Sequence, residues 1–372
     1  MLPVYSPESH SLYQDFFISN FLLYYPDPFS ISRQTWKIIV QFWHLDLSQT
    51  TSILLGSYSK FGPAPRDPVS MLRSYLLSIK LKITSITDWV SRLKECPLYA
   101  IISGFYPDDV PGIGTFYDFF RHIWNSEQKH LSVQLRHKKK KIYMFVASDS
   151  SNGLPVFPIL ERASRHDMLS FLHTFFTMKT WLPEYRVTKL LLDAAHDADA
   201  VYRYCQESGI QPFIDLNSGN TGNFIYKDTF TINNDGVPAC KLGLHMKPDG
   251  VERNRNRCKW RCPKADRSGC HCETPCSDSS YGRVVHTPVK DNPRLFNIPP
   301  RNSLEWDKEY DRRTSVERSN KREKEDYKLE DGRHRSSMMW YCRLYCTMML
   351  QHLDAWEMPS IEAFQSLLSL DA

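Results

Sequence analysis

"TKLLLDAAHDADAVYRYCQESGIQPFIDLN", residues 188–217, changes character twice within one short span. "TKLLLDAA" (188–195) is a brief apolar run that ends in Asp193, the pattern of a strand buried on both faces. "DADAVYRYCQES" (197–208) has helical spacing, and "QPFIDLN" (211–217) is again a strand. Strand, helix and strand in this order predict parallel neighbours in an α/β sheet. Ligands of such sheets collect at the carboxyl ends of the strands, where Asp193 lies.

The chain before this stretch supports the same class. "KIYMFVAS" (141–148) and "LPVFPILERA" (154–163) are expected strands joined at "SDSSNG", and "RHDMLSFLHTFFTM" (165–178) is an amphipathic helix. Residues 1–128 are mostly helical: "DPVSMLRSYLLSIKLKITSITDWVSRLKECPLYAIISGF" (67–105) carries apolar residues at helical spacing, and Asp67-Pro68 is a helix start. Residues 218–300 break the rhythm with Gly, Asn, Pro, basic residues and six of the ten cysteines, as an insertion would. After "DNPRLFNIPP" (291–300) a long charged helix is expected, and the apolar helix "SSMMWYCRLYCTMMLQHLDAW" (336–356) closes the core. Its Met and aromatic stripe is a packing surface.

Composition excludes several classes. With 41% hydrophobic and 13% aromatic residues the 372-residue chain is globular rather than disordered. Before its apolar residues the N-terminus has acidic residues and no basic run, unlike a signal peptide. "DFFISNFLLYY" is too short to span a bilayer, so a cytoplasmic protein is expected. Ten cysteines in that compartment point to thiols or a metal rather than disulfides. The net charge is only +5, but "RHKKKKIY" (136–143) and "GVERNRNRCKWRCPK" (250–264) are strongly basic. Such runs suit a polyanion, nucleic acid above all, or serve as solvated surface.

In "YDRRTSVERSNKREKEDYKLE" (310–330), Tyr310, Arg313, Glu317 and Lys324 stand at i, i+3, i+7 and i+14. On a helix these offsets return to within roughly 60° of one direction, so the four share a face. A helix this rich in charge can produce such a quartet as an ordinary solvated face. In the insertion, Cys240, Cys258, Cys262, Cys270, Cys272 and Cys276 include C-x3-C and C-x-C spacings. Four of them, taken as Cys240, Cys262, Cys272 and Cys276, could hold a structural Zn²⁺; reduced thiols in a packed insertion are the alternative.

Tyr-x2-Arg-x3-Glu-x6-Lys is the signature around the last acidic residue of bacterial insertion-sequence transposases with an Asp-Asp-Glu catalytic core, and the chain resembles that family. "LPVFP", "ASRHD", "LLLDAAHDA", "PFIDLN", "TGNF", "CSDSSYGR", "KDNPRLF", "VERSNKR" and "RDPVSMLRSYLL" look like the same group and cover most of the chain from about residue 60 to 356. The resemblance implies a ribonuclease-H-like mixed-sheet core whose carboxylates hold Mg²⁺ or Mn²⁺ for phosphodiester cleavage and strand transfer. Asp193 matches the second aspartate and Glu317 the glutamate, the two residues that would hold the metal. Tyr310, Arg313 and Lys324, together with Lys138 and Lys139 of the basic run, would contact DNA phosphates. The implied partners are double-stranded DNA, as transposon ends and target, and further copies of the chain; the implied setting is the bacterial cytoplasm at the nucleoid. The implied domains are 1–128 (helical, end-binding), 129–217 (first part of the core), 218–300 (cysteine-rich insertion) and 301–372 (C-terminal helices with Glu317).

The chain departs from the family at the first aspartate. Only two strands precede the first core helix, and "NSEQKHLSVQLRHKKKK" (125–141) contains no Asp. Asp149 is the available carboxylate, although it aligns with the turn after the family's second strand. Loss of the first catalytic strand predicts an impaired enzyme, or a remnant that binds DNA without cutting it.

Overall fold

The computed structural model describes residues 9–27, 31–58, 64–124, 142–162, 167–217, 224–226, 230–266, 268–301, 303–334 and 336–370. Among them, helices α1 (His10–Tyr24), α2 (Arg33–His44), α3 (Thr51–Leu55), α4 (Pro68–Lys80), α5 (Ile86–Glu95), α6 (Pro97–Ser103) and α7 (Ile113–Ile123) precede strands β1 (Ile142–Ser148) and β2 (Pro155–Arg162). Then follow α8 (Asp167–Trp181), β3 (Lys189–Leu192), α9 (Asp199–Ser208) and β4 (Gln211–Ile214). Eight short strands come next: β5 (Phe224–Tyr226), β6 (Phe230–Ile232), β7 (Pro238–Ala239), β8 (Lys247–Glu252), β9 (Arg257–Arg261), β10 (Ala265–Asp266), β11 (Gly269–Cys270) and β12 (Val284–Pro288). The chain closes with α10 (Leu304–Tyr310), α11 (Thr314–Lys321), α12 (Ser337–Asp354) and α13 (Ile361–Leu370). It is a mixed α/β protein, and none of its described helices is long and apolar enough to cross a membrane.

The chain forms two compact units. The first contains residues 1–149, 153–163 and 318–372; the second contains residues 150–152 and 164–317. The expected core is therefore divided: the β1–β2 hairpin belongs with the N- and C-terminal helices, and the parallel strands belong to the second unit. A single sheet joining the two is not present among the described residues, whose strands make five small separate sheets.

Within the first unit, α4 is buried almost all round and organises the core. Asp67 caps it, accepting from the backbone N–H of Ser70 at 2.7 Å, with Pro68 in the first turn where a missing N–H costs nothing. Leu72, Tyr75, Leu76, Leu77 and Ile79 then join Trp89, Phe120, Leu350 and Phe364 in one apolar cluster. Each such side chain contributes roughly 1.5–3 kcal/mol by leaving water. The C-terminal helix α12 completes this cluster, as its apolar stripe predicts. A second small cluster seats the hairpin: Val146 and Leu160 pack on Leu329, Tyr341 and Leu344. The Tyr341 hydroxyl accepts from the Leu160 N–H at 3.2 Å, and the Pro155 carbonyl lies 2.8 Å from His352 Nε2. The hairpin's partners are thus late in the sequence.

In the second unit, β3 and β4 are parallel, in the register Lys189↔Gln211 to Leu192↔Ile214, with α9 as the crossover. α9 ends at Gly209, whose φ of +67° suits a residue without a Cβ. The described residues of the expected insertion, 218–300, build an antiparallel sheet β12–β9–β8, a second sheet β5–β6–β7 and the small β10–β11 hairpin. Two glycines there, Gly236 and Gly282, combine a positive φ with no room for a Cβ. Gly236, at φ +79°, lies in the β6–β7 turn, and a Cβ on it would meet the Leu295 carbonyl oxygen at 2.2 Å. Gly236→Ala is expected to destabilise this unit by about 1–3 kcal/mol, read as a lower unfolding midpoint, because both the backbone conformation and the contact are unfavourable. An unchanged midpoint would contradict this.

The expected long charged helix is segmented. α10 passes into a 3-10 turn over Asp311–Arg313, then α11, then a π-helical stretch over Arg322–Asp326. The boundary between the two units falls in α11, between Glu317 and Arg318.

Candidate active site

The second unit places Asp193 one residue beyond β3, where it caps the following 3-10 turn. Its Oδ1 accepts from the Ala195 N–H at 3.1 Å and lies 2.8 Å from His196 Nδ1. The His196 ring in turn meets Phe171 of α8 edge-on, at 5.8 Å between centroids. Despite the cap, the Asp193 side chain stays 55% exposed, open to solvent at the carboxyl end of its strand as the α/β rule predicts.

The strand register brings a second carboxylate beside it. Asp215 follows β4 directly, and its N–H donates to the Leu192 carbonyl at 3.3 Å, so the two aspartates leave their parallel strands side by side. Asp215 was missed in the sequence, although "QPFID" repeats the signal of "KLLLD": an apolar strand ending in a carboxylate.

α10 is anchored against these strands. Glu309 pairs with Lys189 of β3 at 2.8 Å, and Trp306 packs 6.3 Å from Phe213 of β4 while stacking on Tyr310 at 4.6 Å. Tyr310 therefore lies half-buried near the strand ends. Burial pushes its phenol above the ordinary range; Arg313 opposes this, and the nearby Asp215 and Asp193 add to it. The Arg313 guanidinium sits 5.6 Å from the Tyr310 ring centre, and its Nη2 pairs with Glu317 Oε1 at 3.0 Å. Glu317 is 60% exposed. Three of the four residues of the expected face, Tyr310, Arg313 and Glu317, thus form one connected group, of which Tyr310 lies near Asp215 and Asp193.

Of the other expected site residues, Lys324 and Asp149 belong to the first unit. Lys324 falls in the π-helical stretch of the first unit, where the wider turn rotates it off the α-helical register, and it pairs with Glu330 at 3.0 Å. Asp149 is in the β1–β2 turn of the first unit, its N–H bonded to the Leu154 carbonyl at 2.8 Å. Lys138 and Lys139 lie outside the described residues. Among the expected zinc ligands, Cys240 and Cys276 are half-buried and Cys262 is buried, whereas the Cys272 thiol donates to the Thr274 carbonyl at 3.4 Å.

Two motifs that the family resemblance brought into view have structural work to do here. Asp197 of "LLLDAAHDA" and Arg294 of "KDNPRLF" form a two-point ion pair, Nε to Oδ1 at 2.9 Å and Nη2 to Oδ2 at 2.6 Å. The Asp197 carboxylate also accepts from the Tyr202 hydroxyl (3.1 Å) and the Asn217 N–H (2.8 Å). Arg301, buried, donates to Tyr202 Oη at 3.1 Å and to the carbonyls of Ile214 and Arg294. This network ties the end of the small-sheet region to β4 and α9.

Asp193, Asp215 and Glu317 are hard oxygen donors of the type that Mg²⁺ takes, and Arg313 has the planar fork that matches a phosphate. Among the described residues no group of three or more His, Cys, Asp or Glu is placed to hold a metal ion. Compared with protein-family models, curated proteins and solved structures, the chain matches none.

Proposed function

We propose that the chain is a transposase of the Asp-Asp-Glu class, which binds the ends of a bacterial insertion sequence and cuts and joins DNA phosphodiesters at a site built around Asp193 and Glu317. What supports this reading is the connected Tyr310–Arg313–Glu317 group, whose Tyr310 lies near the strand-end aspartates Asp215 and Asp193. The β3–α9–β4 unit and the β1–β2 hairpin are pieces compatible with a ribonuclease-H-like core.

In this reading Asp193 and Glu317 would be the residues to hold Mg²⁺ or Mn²⁺, which would supply Lewis-acid polarisation of a phosphate. Arg313 exchanges its contact with Glu317 for a substrate phosphate, which it grips with two parallel N–H groups. Tyr310 keeps its proton at neutral pH and is available as a hydroxyl donor to a phosphate oxygen. Lys324 and the basic run containing Lys138 and Lys139 contribute to DNA binding, the helical N-terminal region engages the transposon ends, and two or more copies pair them in the bacterial cytoplasm.

The test is cleavage of a duplex carrying the element's own ends, with and without Mg²⁺. Wild-type protein is expected to cut, and Glu317→Ala to bind the duplex but fall to background. Equal background from both proteins would sink the catalytic reading. The placement of Asp149 in a hairpin turn favours a second reading, a DNA-binding remnant without cleavage, and retained end binding with no wild-type cutting would select it.

A further inference from the structure

The basic run "GVERNRNRCKWRCPK" (250–264) folds into one face of a sheet. Along β9, Cys258 and Trp260 are buried, whereas Arg257, Lys259 and Arg261 are half-buried. The buried pair joins Val237, Met246 and Val285 in an apolar cluster, and Trp260 Nε1 donates to Thr287 Oγ1 at 2.8 Å. Side chains alternate across a strand, so burial of Cys258 and Trp260 puts the three cations together on the outer face.

The flanking strand and turn extend this face, because directly opposed residues of antiparallel strands lie on the same side. Lys247 of β8 is exposed and stands opposite Arg261, and Glu252 stands opposite Arg257. The 3-10 turn between β8 and β9 adds Arg255, 65% exposed, whose Nη1 lies 3.7 Å from Glu252. Glu252 also takes Arg257 at 2.8 Å and lies 3.2 Å from His286 of β12, while Asp249 takes Lys259 at 2.8 Å. Arg261 lies over the exposed Tyr281 ring, 5.2 Å from its centre. Lys247, Arg255, Arg257, Lys259 and Arg261 therefore share the face with only two carboxylates, Asp249 and Glu252.

The layout of the charge names its partner. From Arg257 to Arg261 the row runs about 13 Å, with the next strand roughly 5 Å to the side. Cations spread in this way match a repeated anion rather than one small one, which needs donors converging on a point. Duplex DNA offers a negative charge for about every 1.7 Å of its axis, more densely than a single strand does. Arginine supplies the planar fork that phosphate oxygens accept, and ion pairs this exposed yield readily to a phosphate.

We propose that the outer face of the β12–β9–β8 sheet docks the phosphate backbone of double-stranded DNA through Lys247, Arg255, Arg257, Lys259 and Arg261, without reading base sequence. The choice of DNA as the polyanion rests on the transposase reading; the surface itself does not require the Asp193 and Glu317 chemistry.

The experiment uses the full chain, without Mg²⁺, and a fluorescent duplex of arbitrary sequence titrated at several salt concentrations. Lys247→Gln combined with Arg255→Gln is expected to lower the slope of log affinity against log salt by about 2, since each phosphate contact contributes about 0.9. At about 0.1 M salt the affinity of this protein should fall about ten- to a hundredfold. Glu252→Gln, which removes an anion from the same face, is expected to tighten binding, an effect that misfolding does not imitate. Lys179→Gln combined with Arg203→Gln, exposed cations of α8 and α9, should keep the wild-type affinity and slope. An unchanged slope in the Lys247→Gln, Arg255→Gln protein overturns the surface, as does an equal loss in the α8 and α9 control. Weaker binding by Glu252→Gln, or a tighter complex with the single strand than with the duplex, does the same. Loss of cleavage at the element's ends with these salt responses intact removes the catalytic reading and leaves the surface standing.

Discussion

Asp197→Ala is expected to cost the second unit about 3–5 kcal/mol, because it leaves buried cations without their anion. The Asp197 side chain is fully buried and receives four hydrogen bonds: two from Arg294, one from Tyr202 and one from the Asn217 backbone. The pairing holds Arg294 more firmly protonated than usual, chiefly through its hydrogen bond to this carboxylate. Arg301 depends on the same group at one remove. Burial works against its charge, and Tyr202 and Asp197 oppose that effect. Alanine would remove the anion from both. Denaturant unfolding, followed by limited proteolysis of the second unit, measures the loss. Asp197→Ala combined with Arg294→Leu should recover part of it, since a neutral pair strands no charge on Arg294. A cost below about 1 kcal/mol would mean that the pair is hydrated in solution and contributes like an exposed one.

Glu323→Gln is expected to remove a pH-dependent loss of stability from the first unit. Glu323 is buried among the C-terminal helices and accepts from Gln351 Nε2 at 3.1 Å. Burial raises its carboxyl from 4.5 to about 7, against the opposing effects of Gln351, Lys324 and Arg322. The folded chain therefore holds a proton that the unfolded chain releases between pH 4.5 and 7. Stability from this group is complete below pH 4.5 and is lost as pH rises through 7. The difference, about 7 against 4.5, corresponds to about 3 kcal/mol. Glutamine keeps the hydrogen-bonding shape of the neutral acid, so the variant should gain stability over wild type from pH 5 to pH 8. Unfolding free energies of both proteins at those two pH values check it; parallel pH dependences would show that water reaches the carboxylate.

Several features were legible in the sequence because they are local. Asp67-Pro68 starts α4 as expected, since an N-cap and a proline act within one turn. The run "TKLLLDAA" contains β3 and leaves Asp193 at its end, because a short apolar run bounded by polar residues has few other uses. The i, i+3, i+7 spacing of Tyr310, Arg313 and Glu317 is likewise satisfied by one or two helical turns, and the Arg313–Glu317 contact follows from it. Lys324 stands in a π-helical stretch, which periodicity does not announce.

The sequence by itself determined the helices of the N-terminal region, the strand–helix–strand order of β3, α9 and β4, and the local Arg313–Glu317 contact. All of these rest on interactions between residues a few positions apart. Only the tertiary structure decided that Asp215 stands beside Asp193 and that Asp197 reaches Arg294. It also decided that the β1–β2 hairpin packs on Leu329, Tyr341 and Leu344. Each of these is set by strand register or by packing between distant segments. Spacing along the chain cannot encode them, because the same side chains at the same intervals would satisfy many pairings until the core selects one.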